Sequence, residues 1–367
     1  MDRLDKIKGC LLGGAAGDAL GYTVEFYSEE KIFSTYGASG ITEYTLRDGV
    51  GRISDDTQMT AYTAIGLLWE ATKAARESTQ AEWTKGVRLA YGDWREGQEM
   101  WTDRDEFITE KHVSWIRKLP FMNGHRAPGG TCLGALNSKK KFGTIENRIN
   151  DSKGCGGVMR VAPIALYLGD KLPKEEVARL GAEAAALTHG HDLGFISAAA
   201  LVHIVGGVAF RGQTVREATQ DAISMVEQMY GHLGAWHEQA YLLKMAMHYA
   251  AADMKDLDAI KRLGAGWVAE ETLAIAVYCA IKHEDDFEKA IVAAVNHQGD
   301  SDSTGAVTGN ILGARLGLQG IPQKYLDALE GRAVLEILAQ DLCDGPNLED
   351  DLWLEKYETI TFGESLR

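Results

Sequence analysis

Proline is scarce in this 367-residue chain, at 6 residues, and no proline- or serine-rich tract divides it. A flexible linker between separate domains is therefore not expected, although the length alone would allow two. Cysteine is limited to Cys10, Cys132, Cys155, Cys279 and Cys343, an odd number without a CxxC pair. That usage fits a reducing cytosol, excludes a disulfide-stapled scaffold and provides no zinc-knuckle spacing. Positive charge is also deficient: 38 Lys and Arg stand against 53 Asp and Glu, for a formal net charge of −15. A basic footprint for nucleic acid is missing, so no nucleic-acid partner is expected. No run of about 18 apolar residues stands out, so no membrane span is expected either. The apolar stretch from Cys10 to Ala16 meets Asp18 too soon for a convincing signal segment, which adds to the expectation of a cytoplasmic protein.

What is present is an average globular balance, 45% hydrophobic and 25% charged, which excludes global disorder. Apolar residues recur at helical spacing in most of the chain. In residues 175–187, Val177, Leu180, Ala184 and Leu187 share one face. Residues 57–77, 191–208, 214–231, 236–251, 269–283, 285–296 and 303–317 show the same period. Alternation is scarce, and Gly40 to Arg52 is the best candidate for a short or irregular β segment. The stretch 97–156 reads mainly as loop with short helices. The fold class expected is all-α, as a single multi-helix domain over residues 1–367.

Glycine is in excess, at 41 residues. Gly9, Gly13, Gly17 and Gly21 are each four apart, and so are Gly305, Gly309, Gly313 and Gly317. That spacing places each set on one helix face. Each glycine inside a helix costs up to about 1 kcal/mol relative to alanine, so eight of them require a compensating interaction. Close packing of the two helices against each other is the direct explanation. Asp18, Arg315 and the lack of a span exclude a membrane dimer motif.

Ser54-Asp55-Asp56-Thr57 stands before one long helical pattern, and Asp300-Ser301-Asp302-Ser303 before the second glycine ladder. Helix capping explains either cluster alone. Capping needs only one oxygen per helix start, however, and paired carboxylates repel unless a positive charge sits between them. Carboxylate and hydroxyl oxygens suit a hard divalent cation, and two clusters that met would hold a pair of ions able to orient a substrate oxygen and water. Glu25, just beyond the first ladder, is a further ligand or a base. It shares a face with Asp18 if the helix continues, although Gly21 is a stop signal. Asp18 reads as a structural acid that bonds backbone near the site.

With these pieces in order, the chain resembles the ADP-ribosylglycohydrolase family. The matching segments are GCLLGGAAGDALG at 9–21, Glu25, SDDTQMT at 54–60, GCGGVMRVAPIAL at 154–166, ALTHGHDLG at 186–194 and GDSDSTGAVTGNILGARLG at 299–317. The resemblance implies an all-α fold around two Mg²⁺ or Mn²⁺ ions and hydrolysis of a glycosidic bond to ADP-ribose. It implies metal ligation by Ser54, Asp55, Asp56, Asp300, Asp302 and Ser303. Ser54 and Ser303 stand where family members often have threonine, which still supplies a hydroxyl. Glu25 corresponds to a glutamate of catalysis or gating, with Asp302 as the other candidate catalytic carboxylate. Gly154, Cys155, Gly156 and Gly157 match a phosphate- and ribose-binding loop in which Cys155 replaces a common asparagine. Ser152 and Lys153 would also reach a phosphate, and Gly129-Gly130-Thr131 would form another wall. His189 matches a histidine beside the ADP-ribose.

The partners implied are ADP-ribose and an ADP-ribosylated protein, with arginine the expected modified residue. Two other readings use the same residues: a dinuclear metal phosphoesterase, and an immunity or binding protein that neutralises an ADP-ribosylating toxin. The first leaves the glycine loop and His189 unused. Against the second, every expected ligand position keeps an oxygen side chain, and only eight residues precede Gly9 to form an occluding extension.

Overall fold

A computed structural model describes residues 1–98, 112–137 and 142–358. Its α-helices are α1 Arg3–Gly21, α2 Glu29–Tyr36, α3 Asp55–Glu77, α4 Trp83–Gly97, α5 Gly130–Leu136, α6 Ala162–Leu168, α7 Lys174–Ala186, α8 Asp192–Phe210, α9 Val215–Tyr230, α10 Trp236–Ala251, α11 Asp256–Leu263, α12 Ala269–Lys282, α13 Phe287–Val295, α14 Ser301–Leu316, α15 Gln323–Asp327, α16 Arg332–Asp344 and α17 Asp351–Tyr357. The fold is all-α. One continuous hydrophobic cluster runs from Ile7 in α1 to Tyr357 in α17. No strand occurs among the described residues. The segment Gly40 to Arg52 is irregular and makes only isolated bridges, Arg47 with Val50 and Gly51 with Leu329. The expected loop of 97–156 lies partly outside the described residues, and its described part carries α5 and short 3₁₀ turns.

The two glycine ladders face each other. Helices α1 and α14 run antiparallel, with Gly9 against Gly313, Gly13 against Gly309 and Gly17 against Gly305. A β-carbon added at Gly17 would lie 2.0 Å from the carbonyl oxygen of Gly305, and one at Gly309 would lie 2.0 Å from that of Gly13. No side chain fits between these backbones. At the site end of the pair, Gly21 meets the backbone of Ser301. At the other end Gly317, with φ +72°, terminates α14 and packs on Gly9, where its amide reaches the Gly313 carbonyl. Backbone-to-backbone contact of this kind gains dispersion and weak Cα–H···O contacts that offset the helix cost of glycine. Both helices are buried along most of their length, so this pair is the axis of the molecule.

One sequence expectation is corrected. Helix α8 has 19 residues with a mean hydropathy of 2.0 over its most apolar window, long and apolar enough to cross a membrane by composition. His203 and Ser197 interrupt the apolar string, so it is not an unbroken apolar run. In this fold 94% of that window is buried inside the protein, the property of a central core helix.

The close helix pair makes a graded prediction. Gly309→Leu must push α14 off α1 and is expected to cost about 3 kcal/mol or more. Exposed Gly134 in α5 has nothing within 4 Å of an added β-carbon. Gly134→Ala is therefore expected to be neutral or to stabilise by up to about 1 kcal/mol. Urea unfolding followed by circular dichroism measures both, and equal effects of the two changes would contradict the packing argument.

Candidate active site

The helix pair delivers two chain segments to one place. Helix α1 ends at Gly21, with the Tyr22 amide capping on the Asp18 carbonyl, so Glu25 is carried by the turn that follows. Helix α14 begins at Ser301 beside that turn, with Asp300 as its N-cap. One reachable oxygen from each of Glu25, Asp300 and Asp302 lies within 4.8 Å of the other two, and all three residues are buried.

The third segment is fixed by Asp18. Its carboxylate accepts the Ser54 amide at 3.0 Å and 3.1 Å and the Thr57 amide at 3.1 Å, together with the Thr57 hydroxyl. A buried acid in α1 therefore caps the start of α3, the structural role expected for it. The same turn is tied from outside. Arg126 pairs with Glu330 at 2.9 Å, Glu330 accepts the Ile53 amide at 3.2 Å, and the Arg126 carbonyl accepts the Asp55 amide at 3.0 Å.

Two helix starts thus converge on a cleft of about 150 Å³ lined by Glu25, Asp55, Asp56, Asp300, Asp302 and Ser303. The same cleft is lined by Gly129, Gly130, Thr131, Gly154, Cys155, Gly156 and His189, and the Gly129 amide donates to Asp55 at 3.2 Å. Of the residues singled out in the sequence, Ser54, Ser152 and Gly157 do not line it. The Ser54 hydroxyl caps α3 through the Asp56 amide at 3.2 Å and also bonds Asp302. Ser152 braces the loop, bonding the Thr131 hydroxyl at 3.0 Å and the Gly154 amide at 3.3 Å. Lys153 points to buried Glu270, with which it forms an ion pair.

The electrostatics are those of concentrated, buried acid. Burial first, and then the Asp302 and Asp300 carboxylates, push Glu25 up to about 10. Burial and Asp302 raise Asp55 and Asp56 well above the usual carboxylate range, and burial and Asp300 do the same to Asp302. Asp18 rises to about 7, chiefly through burial, then through Asp302. Among the described residues no lysine or arginine lines this cleft. Two buried carboxylate oxygens there, Glu25 Oε2 and Asp56 Oδ2, have no hydrogen-bond partner among the described residues. Unpartnered buried oxygens among mutually repelling acids fit a hard divalent cation, and the donor set of carboxylates with the Ser303 hydroxyl suits one.

The glycine wall is shaped by packing. An added β-carbon at Gly156 would sit 2.8 Å from Cys132 Sγ and 3.1 Å from the His189 ring, so glycine is required there whatever binds. His189 is held by Thr188, whose hydroxyl lies 2.8 Å from Nδ1 and accepts from Arg160 at 2.7 Å. The same hydroxyl lies 3.4 Å from the Ala185 carbonyl, so Thr188 fixes the position of the ring. Burial, then Arg160, lowers His189 to about 3, so the ring is neutral at physiological pH.

Several residues of the site were not singled out from the sequence. Arg160, fully buried, also contacts Cys132 Sγ at 3.3 Å and lies 4.3 Å over the Tyr91 ring. Asn150 bonds the Thr188 carbonyl at 2.7 Å and accepts the Ser152 and Gly190 amides at 3.0 Å each, which joins the loop to the His189 turn. Trp267 lines the cleft and stacks on Phe26 with centroids 5.9 Å apart, and both rings are exposed. Ala127, on the wall, has φ +54°, an uncommon conformation for a residue other than glycine. Arg160 lies inside the quoted GCGGVMR segment. The others carry no local signal, because their partners are distant in sequence.

Comparison with known proteins agrees with this architecture. The family model for ADP-ribosylglycohydrolase matches residues 1–351. The chain belongs to the ADP-ribosylglycohydrolase family. It is 25% identical over 346 residues to the ADP-ribosyl-[dinitrogen reductase] glycohydrolase of Rhodospirillum rubrum, covering 92% of this chain and 94% of that protein. It is 25% identical to human ADP-ribosylhydrolase ARH3, covering 92% and 93%, and 23% identical to the ADP-ribosylarginine hydrolase Tri1 of Pseudomonas putida, covering 95% and 81%. A solved structure titled an ADP-ribosylglycohydrolase-related protein complex superposes with a TM-score of 0.54 at 23% identity, covering 93% of this chain and 97% of that one, and shares the fold.

The raised acids predict a pH dependence. From the ordinary glutamate value of 4.5 up to about 10, folded Glu25 keeps a proton that the unfolded chain has released. The folded state then binds more protons than the unfolded state, so metal-free stability falls as pH rises through that window. A divalent cation that holds the acids ionised removes this penalty. The increase in Tm produced by Mn²⁺ over chelator is expected to grow from about pH 5 to about pH 8. A gain independent of pH would contradict the assignment of these acids as the binding group.

Proposed function

We propose that this protein is a divalent-metal-dependent hydrolase that releases ADP-ribose from a modified protein side chain, arginine being the favoured one. The observation that carries the reading is the meeting of Glu25, Asp300 and Asp302 with Asp55 and Asp56 in one cleft with the glycine loop and His189. Acids, small residues and a neutral imidazole line it together. Such a site suits a ligand with sugar hydroxyls at one end and phosphate at the other. The relatives whose names describe removal of ADP-ribose, including from arginine, support the same substrate class.

Asp55, Asp56, Asp300, Asp302 and Ser303 are proposed to hold a pair of Mg²⁺ or Mn²⁺ ions, with Ser54 setting the start of α3. When bound, such ions supply Lewis-acid polarisation of ribose hydroxyls and of water. Glu25 stands over the same centre on a turn rather than a helix. Once the acids are neutralised, its carboxylate is free to accept the proton of the attacking water. Water then adds its oxygen to the anomeric carbon as the bond to the side-chain nitrogen breaks, through an oxocarbenium-like transition state. Gly154, Cys155 and Gly156 are proposed to approach the diphosphate with their backbone, and Gly157 and Ser152 to brace that loop. His189, held neutral, offers a hydrogen bond to the sugar or phosphate. The cleft of about 150 Å³ is smaller than the roughly 300–1,000 Å³ of common small-molecule sites, so the nucleoside end is expected to extend past Trp267.

The decisive experiment is release of ADP-ribose from arginine- and serine-linked substrates with Mg²⁺, Mn²⁺ or chelator, beside a panel of nucleotides. Asp302→Ala is expected to abolish release, and unchanged turnover would overturn the assignment. Nucleotide hydrolysis without ADP-ribose release would instead favour the phosphoesterase. His189→Ala is expected to raise KM for the ADP-ribosylated substrate about tenfold or more, since one hydrogen bond to a charged group contributes about 1.5–3 kcal/mol. An unchanged KM would remove His189 from the binding surface.

A further inference from the structure

The cleft carries donors that a site built for a hard cation does not need, Cys132, Cys155 and His189 among them, and of these Cys155 lies against one of its acids. Cys155 Sγ lies 2.7 Å from Asp300 Oδ2, in the same cleft as Glu25, Asp56 and Asp302. The thiol is held there by its own backbone. It begins the 3₁₀ turn Cys155–Gly157, and its amide is anchored on the Trp267 carbonyl at 3.2 Å. Cys132 also lines the cleft but is buried and contacts Arg160, Cys10 and Cys279 are buried, and Cys155 and Cys343 are half-buried. In the same cleft Asp56 Oδ2 and Glu25 Oε2 are buried and without partners among the described residues. Asp56 is 3% exposed and Glu25 7%.

Oxygen ligands alone favour Mg²⁺, Mn²⁺ or Ca²⁺, whereas a thiolate shifts preference toward softer, thiophilic ions. Sulfur next to a carboxylate already used by the centre is within reach of an ion held by that carboxylate, since metal–sulfur bonds are about 2.3 Å. We propose that Cys155 and Asp300 together make this cleft a binding site for a thiophilic divalent cation, zinc or cadmium, which displaces the hard ion. The sulfur–metal bond forms as the thiol proton is lost to solvent, and no oxidant or reductant is involved. The consequence is inhibition by such cations at a position where an asparagine would bring no sulfur. The inference rests on the reading of the cleft as a divalent-cation centre and not on which bond is hydrolysed.

The test is optical and therefore independent of turnover. Cadmium titrated into the full-length protein is expected to produce a cadmium–thiolate charge-transfer band in the ultraviolet, which saturating Mn²⁺ suppresses. Cys155→Ser and, separately, Cys155→Asn are expected to lose the band, while Cys343→Ser keeps it. Mn²⁺ binding, followed by electron paramagnetic resonance, reports whether each variant retains the centre. Cadmium is expected to displace Mn²⁺ from the wild-type chain at a concentration about tenfold or more below that needed in either Cys155 variant. The proposal is overturned if the wild-type chain shows no band, if Mn²⁺ leaves the band unchanged, or if the band survives in a Cys155 variant. ADP-ribose release measured on the same samples tests the hydrolase reading separately, because a failed hydrolysis assay leaves the optical result standing.

Discussion

Everything in this molecule hangs on the contact between two bare stretches of backbone. Helices α1 and α14 approach so closely that a single β-carbon at Gly17 would overlap the Gly305 carbonyl. A contact that close has little freedom to slide or rotate, because each glycine meets a particular carbonyl of the partner. The register it fixes places the turn after Gly21 beside the start of α14. Glu25 therefore meets Asp300 and Asp302 even though about 275 residues separate them in the chain. Asp18 extends the same frame sideways, since its carboxylate holds the first turn of α3 and with it Asp55 and Asp56.

The rigid frame explains how the protein tolerates an otherwise unfavourable group of charges. Five acids crowd a cleft that no lysine or arginine among the described residues lines; burial and neighbouring acids push Glu25, Asp55, Asp56 and Asp302 toward the neutral form, and burial does so for Asp300 against the hydrogen bonds it accepts. An unsupported cluster of this kind would relax by swinging apart. Here Asp55, Asp56, Asp300 and Asp302 lie at the starts of two helices whose ends are anchored by backbone contacts, so they are held together despite their repulsion. Preorganisation of this kind places the cost of assembling the site in folding rather than in ligand binding. The His189 side of the cleft is equally fixed. Buried Arg160, itself stacked on Tyr91, holds Thr188, and Thr188 holds the His189 ring in place.

Much of this was legible in the residue string. Helical period was strong wherever apolar residues repeated at three and four, so α3, α7, α8, α9, α10, α12, α13 and α14 lie within a few residues of expectation. Shorter helices such as α2, α11 and α15 were not visible, because five to eight residues hold too few turns for a period to show. Paired acids at two helix starts pointed to the candidate site, since capping alone did not require them. The sequence pattern did not reveal that Ser54 and Ser152 would also brace the chain around the cleft, or that Gly156 is demanded by Cys132 and His189 as much as by any ligand. Those outcomes depend on neighbours that are distant in the chain.

By itself, the sequence determined the helical class, the period-four glycine faces and the kinds of oxygen ligand on offer. These are local properties, set by side-chain chemistry and by the 3.6-residue turn. Tertiary structure alone decided which carboxylates share a cleft, that Trp267 and Phe26 stand together at its edge, and that the apolar helix α8 lies in the core. It also brought the sulfur of Cys155 against Asp300. Such pairings follow from how closely two helices can approach. That distance is a property of both backbones together, and neither segment encodes it alone.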